Sequence, residues 1–465
     1  MKKISWTAFR IDRSSKIPVF EQICMSIRQQ IIDGDLTEGM KLPPTRGFAT
    51  DLGVSRSTIV TAYEQLVAEG YLNSTQGAGF TVSKIGDVEL NTQKRSGQND
   101  QEEELPTLKP LRPSVPDMTL FPHRQWGKTV ARVCRSKPEK MLVGNAAMGN
   151  FDLRKQVAKH VSEWRGIETS AHQIVITAGA SDGVELCIHT LAQKQDGIAL
   201  EDPGYLPLRN FVERLGYPSE FMDMDEEGAI VPHGKKSPKI VIITPSHQYP
   251  LGGAMSPSRR MEFIQWAEQN NNWVVEDDYD SEFRYAGRPI PAMAGFDHNN
   301  RTIYVGTFSK MFSSNLRLGY VVFPTSLMEK AKAALETHGA NASYMPQQIL
   351  AEFMRDGEFY RHLRRVRRIY GERRKCITDI LLKDFSSYGH FKNHQAGMQL
   401  VFYLNDNFTD KDIVKKAGKE GLGVEAMSSF CSEKTAVNGL LLGFSAFSVD
   451  EITASMGKLK SILDN

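Results

Sequence analysis

Apolar positions near the amino terminus recur at helical spacing: Phe20, Ile23, Ile27 and Ile31 stand three or four residues apart, which predicts an amphipathic helix. A second pattern follows in LPPTRGFATDLGVSRSTIVTAYEQLVAEGYL, residues 42–72. Ala49 falls where two helices would cross and a larger side chain would part them. Gly53, four residues later, suits a tight turn that needs a positive φ, and Ile59 is placed to close the core from the next helix. GYLNSTQGAGFTVS then reads as two short strands around a glycine-rich tip. The pattern stops at Lys84. KIGDVELNTQKRSGQNDQEEELPTLKPLR, residues 84–112, is polar, charged and without aromatics, a composition that cannot bury enough surface to offset ordering, so a linker is expected there.

Beyond Pro113, short β-branched runs alternate with helical stretches. QIVITAG, GIALEDPGY, KIVIITPSH, NWVVEDDYD and RTIYVGTFSK each end in residues typical of loops. Near-continuous apolar strands of this kind predict an α/β domain with a buried, mostly parallel sheet. After Phe353 a long basic helix, FYRHLRRVRRIYGERRKCI, leads into a smaller α+β segment. The expected organisation is therefore a helix-turn-helix domain at 1–84, a flexible linker at 85–112 and an α/β domain at 113–465, with a small subdomain over about 354–465. The basic helix is expected to present a solvated face.

Length and composition change this picture little. A chain of 465 residues is too long for one core. The formal charge of +2 is nearly neutral, so nucleic-acid binding must come from local patches. Five cysteines without a C-x-x-C pair argue against a disulfide framework or a metal centre. No apolar run approaches membrane-spanning length, and a reducing, cytoplasmic location is the expectation.

Two places carry chemistry. In the amino-terminal domain, Ser55 can cap the second helix of the motif, and Arg56, Ser57 and Thr58 occupy its first turn. A recognition helix presents such residues to bases and phosphates in the major groove of double-stranded DNA. Residues 17–83 resemble the GntR-type winged helix, with Arg46 in that family's P-x-x-R position. The resemblance implies DNA contacts by Arg46, Arg56, Thr58 and Gly77, although Gln76 replaces a basic residue usual before the wing glycine.

The second place is YVGTFSKMFSSNLRLGYVVFP, residues 304–324, where one lysine follows an apolar strand. A lysine so placed loses part of its proton affinity by burial and becomes a nucleophile. The segment resembles the Schiff-base motif of fold-type I aminotransferases. That resemblance implies that Lys310 binds pyridoxal 5'-phosphate covalently and that Thr307, Ser309 and Arg317 hold its phosphate. The carboxylate needed at the cofactor's ring nitrogen is assigned to Asp277, with Asp278 as the alternative, and Tyr279 would reach the ring oxygen. Gly179, Ala180 and Ser181 stand at an expected helix amino terminus, where free N–H groups bind phosphate. Tyr205 matches the aromatic residue that covers the ring, and the loop 244–253 matches one that contacts the ring oxygen through His247, Gln248 or Tyr249.

The combination resembles the MocR/GabR-type transcription regulators over nearly the whole chain. It implies a cofactor-bearing sensor for an amine, an amino acid or pyridoxal phosphate itself, controlling a DNA reader within a domain-swapped homodimer. The alternative is a working aminotransferase with a secondary DNA-binding domain. Against it, no arginine follows Arg374, where aminotransferases of this fold hold a substrate carboxylate, so poor transamination of ordinary α-amino acids is expected. Ser314, Asp182 and Pro207 also depart from the usual pattern of a proline, a glutamine and an arginine.

Overall fold

The computed structural model describes residues 11–75, 79–84, 107–136, 138–139, 147–234, 237–287, 289–339, 341–432 and 436–464. Gly77 and Gln76 of the wing, and residues 85–106 of the expected linker, lie outside them. The chain divides into two compact units, Met1–Leu105 and Pro106–Asn465.

In the first unit, helices α1 (Val19–Ile32), α2 (Thr45–Leu52) and α3 (Arg56–Ala68) precede an antiparallel pair, β1 (Leu72–Thr75) and β2 (Gly79–Val82). Ile23, Ile27 and Ile31 are buried with Phe48, Ala49, Ile59, Tyr63 and Leu66 in one core. Gly53 ends α2 at φ 62°, the left-handed geometry that a side chain resists, and this sharp turn sets α3 at its angle to α2.

The second unit begins with α4 (His123–Ser136) and α5 (Phe151–Arg165). Strands and helices then alternate: β3 (Ile174–Thr177), α6 (Ala180–Leu191), β4 (Ile198–Glu201), α7 (Leu206–Leu215), β5 (Ser219–Met222), β6 (Ile240–Ile243), α8 (Pro257–Gln269), β7 (Trp273–Asp278), β8 (Thr302–Thr307) and β9 (Gly319–Val322). They form a seven-stranded sheet in the order β3-β9-β8-β7-β6-β4-β5. Only β9 runs antiparallel to its neighbours. Alternate residues feed two cores: Ile174 and Ile176 join one cluster and Val175 the other, as do Tyr304 and Val305. This two-sided burial is why these strands are apolar throughout rather than alternating.

Helices α9 (Met328–His338), α10 (Met345–Arg355) and α11 (Glu358–Asp384) lead to a four-stranded sheet of β10 (Gly389–Phe391), β11 (Gln399–Leu404), β12 (Glu425–Ala426) and β13 (Gly439–Gly443), with α12 (Asp410–Lys419) and α13 (Val449–Asp464). Leu111 is fully buried in the core of this sheet. Residues 110–112, expected within the linker, are thus packed: Pro110 and Leu111 accept backbone hydrogen bonds from Gly423 and Gly443. The buried leucine and these two bonds anchor the end of a polar stretch. No helix among the described residues is long and apolar enough to cross a membrane.

Candidate functional site

The first unit offers a helix end. Ser55 Oγ accepts the Thr58 N–H at 3.1 Å and lies 2.7 Å from both Ser57 Oγ and Thr58 Oγ1. The three hydroxyls lock the start of α3, and the free N–H groups there favour an anion. Arg56 is exposed and reaches Thr45 Oγ1 at 3.4 Å. Arg46, the second residue of α2, is exposed. A cation not singled out from the sequence, Arg13, donates to the Gly53 carbonyl at 2.9 Å and so braces the turn between the helices.

In the second unit, chemistry gathers at the carboxyl ends of β4, β6, β7 and β8, where open α/β sheets place their sites. A cavity there is lined by Glu201, Tyr205, Arg209, Thr244, Tyr249, Asp277 and Phe430. The two adjacent aspartates of β7 have separate tasks. Asp278 is committed to the framework: it pairs with the buried Arg165 at 2.7 Å and accepts from Tyr304 Oη and Ser281 Oγ, each at 2.7 Å. Asp277 lines the cavity instead, and its Oδ1 is buried with no hydrogen-bond partner among the described residues. Burial, with the charges of Asp278, Glu201 and Asp280, pushes its carboxyl up to about 7.

Three aromatic rings surround this acid. Tyr205, 43% exposed at the amino end of α7, meets Tyr249 edge-on at 5.5 Å, and Tyr249 meets Tyr279 in the same way at 5.6 Å. The three residues left open in the 244–253 loop are distinguished by their partners. Gln248 is spent on the framework, donating to the Tyr249 carbonyl of its own loop and to the Pro203 carbonyl beyond β4. His247 Nδ1 lies 2.9 Å from Asp280 Oδ1 and 2.9 Å from Tyr279 Oη. Tyr249 alone of the three faces the cavity. Because Nδ1 has room for one proton and faces the Asp280 carboxylate, that proton sits on the ring and Tyr279 Oη accepts a share of it. The Tyr279 hydrogen is left for an acceptor elsewhere.

Lys310 follows β8 by three residues and is half-buried. Burial lowers its pKa, opposed in part by the Asp280 charge. Its Nζ donates to the Ser114 carbonyl at 2.6 Å. The segments expected to hold an anion meet around Gly319, whose partners in the sheet are Thr307 on β8 and Thr177 on β3. A Cβ on Gly319 would stand 2.7 Å from the Gly179 backbone, so glycine is what lets the start of β9 approach the turn before α6. Gly179 has φ 106° and caps α6, while Ala180 and Ser181 begin it. Thr307 Oγ1 accepts the Ser309 N–H at 3.2 Å. Arg317 is exposed and takes φ 48°. Asp182 is turned back, its Oδ2 accepting the Ala178 N–H at 2.7 Å.

Glu201, Asp280, Arg209 and Ser114 were not legible as site residues. Among the described residues, Arg209 is the one cation lining the cavity, stacked 4.4 Å over Phe221 and paired with Glu213. The basic helix α11 lines an open groove in which Arg364, Arg367, Arg368 and Lys375 face Arg284.

Comparison with known proteins adds an independent line. Residues 121–435 match the family described as Aminotransferase class I and II, and residues 20–82 match the gntR family of bacterial regulatory proteins. The chain is 30% identical to a probable rhizopine catabolism regulatory protein, MocR, of Rhizobium meliloti, over 97% of this chain and 95% of that one. It is 32% identical to the HTH-type pyridoxine biosynthesis transcriptional regulator PdxR of Corynebacterium glutamicum, over 93% of each. Among solved structures, an archaeal alanine:glyoxylate aminotransferase superposes with a TM-score of 0.71 at 24% identity, covering 77% of this chain and 91% of that one. A kynurenine aminotransferase of Pyrococcus horikoshii gives 0.70 at 22%, covering 81% and 99%. At such identity the likeness is one of fold.

Proposed function

The chain belongs to the aminotransferase class I and II family, as one of the HTH-type transcriptional regulators that join a gntR-family DNA-binding domain to an aminotransferase-like domain, and from that premise we propose that it is a cytoplasmic regulator that binds pyridoxal 5'-phosphate at Lys310 and answers to a small effector there. The orphaned Asp277 Oδ1 carries the reading. A buried carboxylate without a donor is costly, and a protonated ring nitrogen is the donor it lacks. The other residues fit the same group. A lysine amine of lowered basicity stands nearby, Tyr205 can cover a ring, and the free N–H groups of Gly179, Ala180 and Ser181 suit a phosphate, with Thr307, Ser309 and Arg317 beside them.

When bound, the cofactor supplies an electrophilic carbonyl carbon and a ring that withdraws electrons. Lys310 would hold it covalently, Asp277 would keep its ring nitrogen protonated, and Tyr279, whose oxygen already accepts from His247, would donate its hydrogen to the ring oxygen. Tyr249 is in position to join it. Effector choice is narrowed by what the cavity offers: among the described residues its lining has a single cation, Arg209, already paired. That favours an amine or the cofactor itself over a free α-amino acid. Arg374, the last arginine, is bonded to the 393–395 loop on the groove side.

On the DNA side, Arg46, Ser55, Arg56, Ser57, Thr58 and Gly77 would contact an operator, within a homodimer whose domains are exchanged. Segments 1–84 and 113–465 would act as reader and sensor, joined by a linker within 85–112 whose last residues, 110–112, pack with the sensor. The test is visible absorbance of purified protein on adding pyridoxal phosphate. A band that Lys310→Ala abolishes is expected, and no band in the unaltered protein would refute the cofactor assignment.

A further inference from the structure

The amine of Lys310 is committed to the main chain of a distant segment. Its Nζ donates to the carbonyl of Ser114 at 2.6 Å. That residue lies eight positions past Pro106, where the second unit begins, so the lysine touches the chain just after it leaves the linker. The segment is a strap with an unusual backbone. Leu111 takes φ 66° and Ser114 φ 61°, both in the left-handed region that residues with side chains resist. Such a shape persists only where its surroundings impose it.

What imposes it can be named. At one end Leu111 is buried, and its carbonyl accepts the Gly443 N–H at 2.8 Å. A Cβ on Gly443 would stand 2.0 Å from the Arg112 carbonyl oxygen, so that end is seated closely against β13. At the other end Val115 accepts from Ser445 Oγ at 2.6 Å. Between these anchors, Ser114 is held by its N–H and Oγ on Gln399 Oε1, at 3.1 and 3.2 Å, and by Lys310. Three of the strap's central hydrogen bonds therefore end on Ser114, and one of them comes from the lysine of the candidate cofactor site.

We infer that Lys310 works as a two-position contact: free, it clasps the Ser114 carbonyl, and covalently engaged it lets go, so that occupancy of the site sets the order of the strap that leads into the linker. The inference rests on Lys310 being the cofactor's anchor. Its chemistry is simple. The amine and the aldehyde of pyridoxal phosphate condense, a C=N bond forms, and the aldehyde oxygen leaves as water with the two amine hydrogens. One hydrogen at most remains on nitrogen, and the ring oxygen of the cofactor competes for it. The Ser114 carbonyl loses a charged donor and the strained turn loses a clasp.

Hydrogen exchange on the full-length protein tests this, read at the Ser114 and Val115 amides. In the unaltered protein, pyridoxal phosphate should speed exchange there about tenfold. Pyridoxine 5'-phosphate, which lacks the aldehyde and cannot condense, should leave it slow. Lys310→Ala should be fast under every condition. Lys310→Arg, which keeps a donor but cannot condense in the same way, should be slow even with pyridoxal phosphate. A visible band that forms while strap exchange stays unchanged overturns the inference and leaves the cofactor assignment standing. Equal loosening by pyridoxine 5'-phosphate also overturns it, because release would not then pass through the amine. Absence of the band removes both.

Discussion

Two neighbouring aspartates show how much one residue's partners decide. Asp278 neutralises Arg165, both being about 2% exposed at the side chain, whereas Asp277 has nothing to neutralise. Removing one member of a buried pair strands the other. Asp278→Asn should therefore destabilise the protein by about 3–5 kcal/mol in chemical denaturation, while Asp277→Asn should not destabilise it and should weaken pyridoxal phosphate binding. Equal losses in the two variants would contradict this division. Glu201 makes a related prediction. Burial raises its carboxyl from 4.5 to about 7, so the native protein keeps a proton that the unfolded chain gives up. The stability this confers is complete below pH 4.5 and is lost as pH rises towards 7. Asp277, raised likewise, adds a decline of its own, so Glu201→Gln should make the decline in cofactor-free protein smaller by about 3 kcal/mol between pH 4.5 and 8. A decline of the same size in the variant would show that other groups cause it.

Elements position these residues through close approaches that glycine permits. Gly397, just before β11, has φ 84°, and a Cβ there would lie 2.1 Å from His247 Cε1. Across the same junction, His394 packs on Gly252 and Gly253, where added Cβ atoms would meet it at 2.9 and 3.0 Å. Each loop lays a histidine on the other's glycines. Gly397→Ala should thus push His247 off Asp280 and Tyr279 and cost about 2–4 kcal/mol; a thermal midpoint within 1 °C of the unaltered protein would contradict it. The helix-turn-helix could be read in advance because its signals are local: the spacing of Ala49, Gly53 and Ile59 and the cap at Ser55 act within a few residues of one another. The strands of the large sheet could be read because burial on both faces leaves them continuously apolar. The clasp on Ser114 and the pairing of His247 with Asp280 could not, because they join segments separated by 196 and 33 residues and no periodicity marks them. Nor does sequence distinguish Asp277 from Asp278, since which of them faces the cavity depends on Arg165.

For the whole molecule, an aminotransferase-like domain carries the groups proposed to hold a cofactor but no arginine after position 374 to hold a substrate carboxylate. Incubation of loaded protein with α-amino acids should therefore yield little keto acid beyond one equivalent; sustained turnover would restore the enzyme reading. In the proposed regulator the state of Lys310 reaches DNA. The direct measurement is affinity for a duplex selected from a random pool by the full-length protein, made with and without pyridoxal phosphate, for the unaltered chain and for Lys310→Ala. The account predicts a change of affinity or footprint on loading that the variant does not show. No change in the unaltered protein, or the same change in the variant, would contradict it.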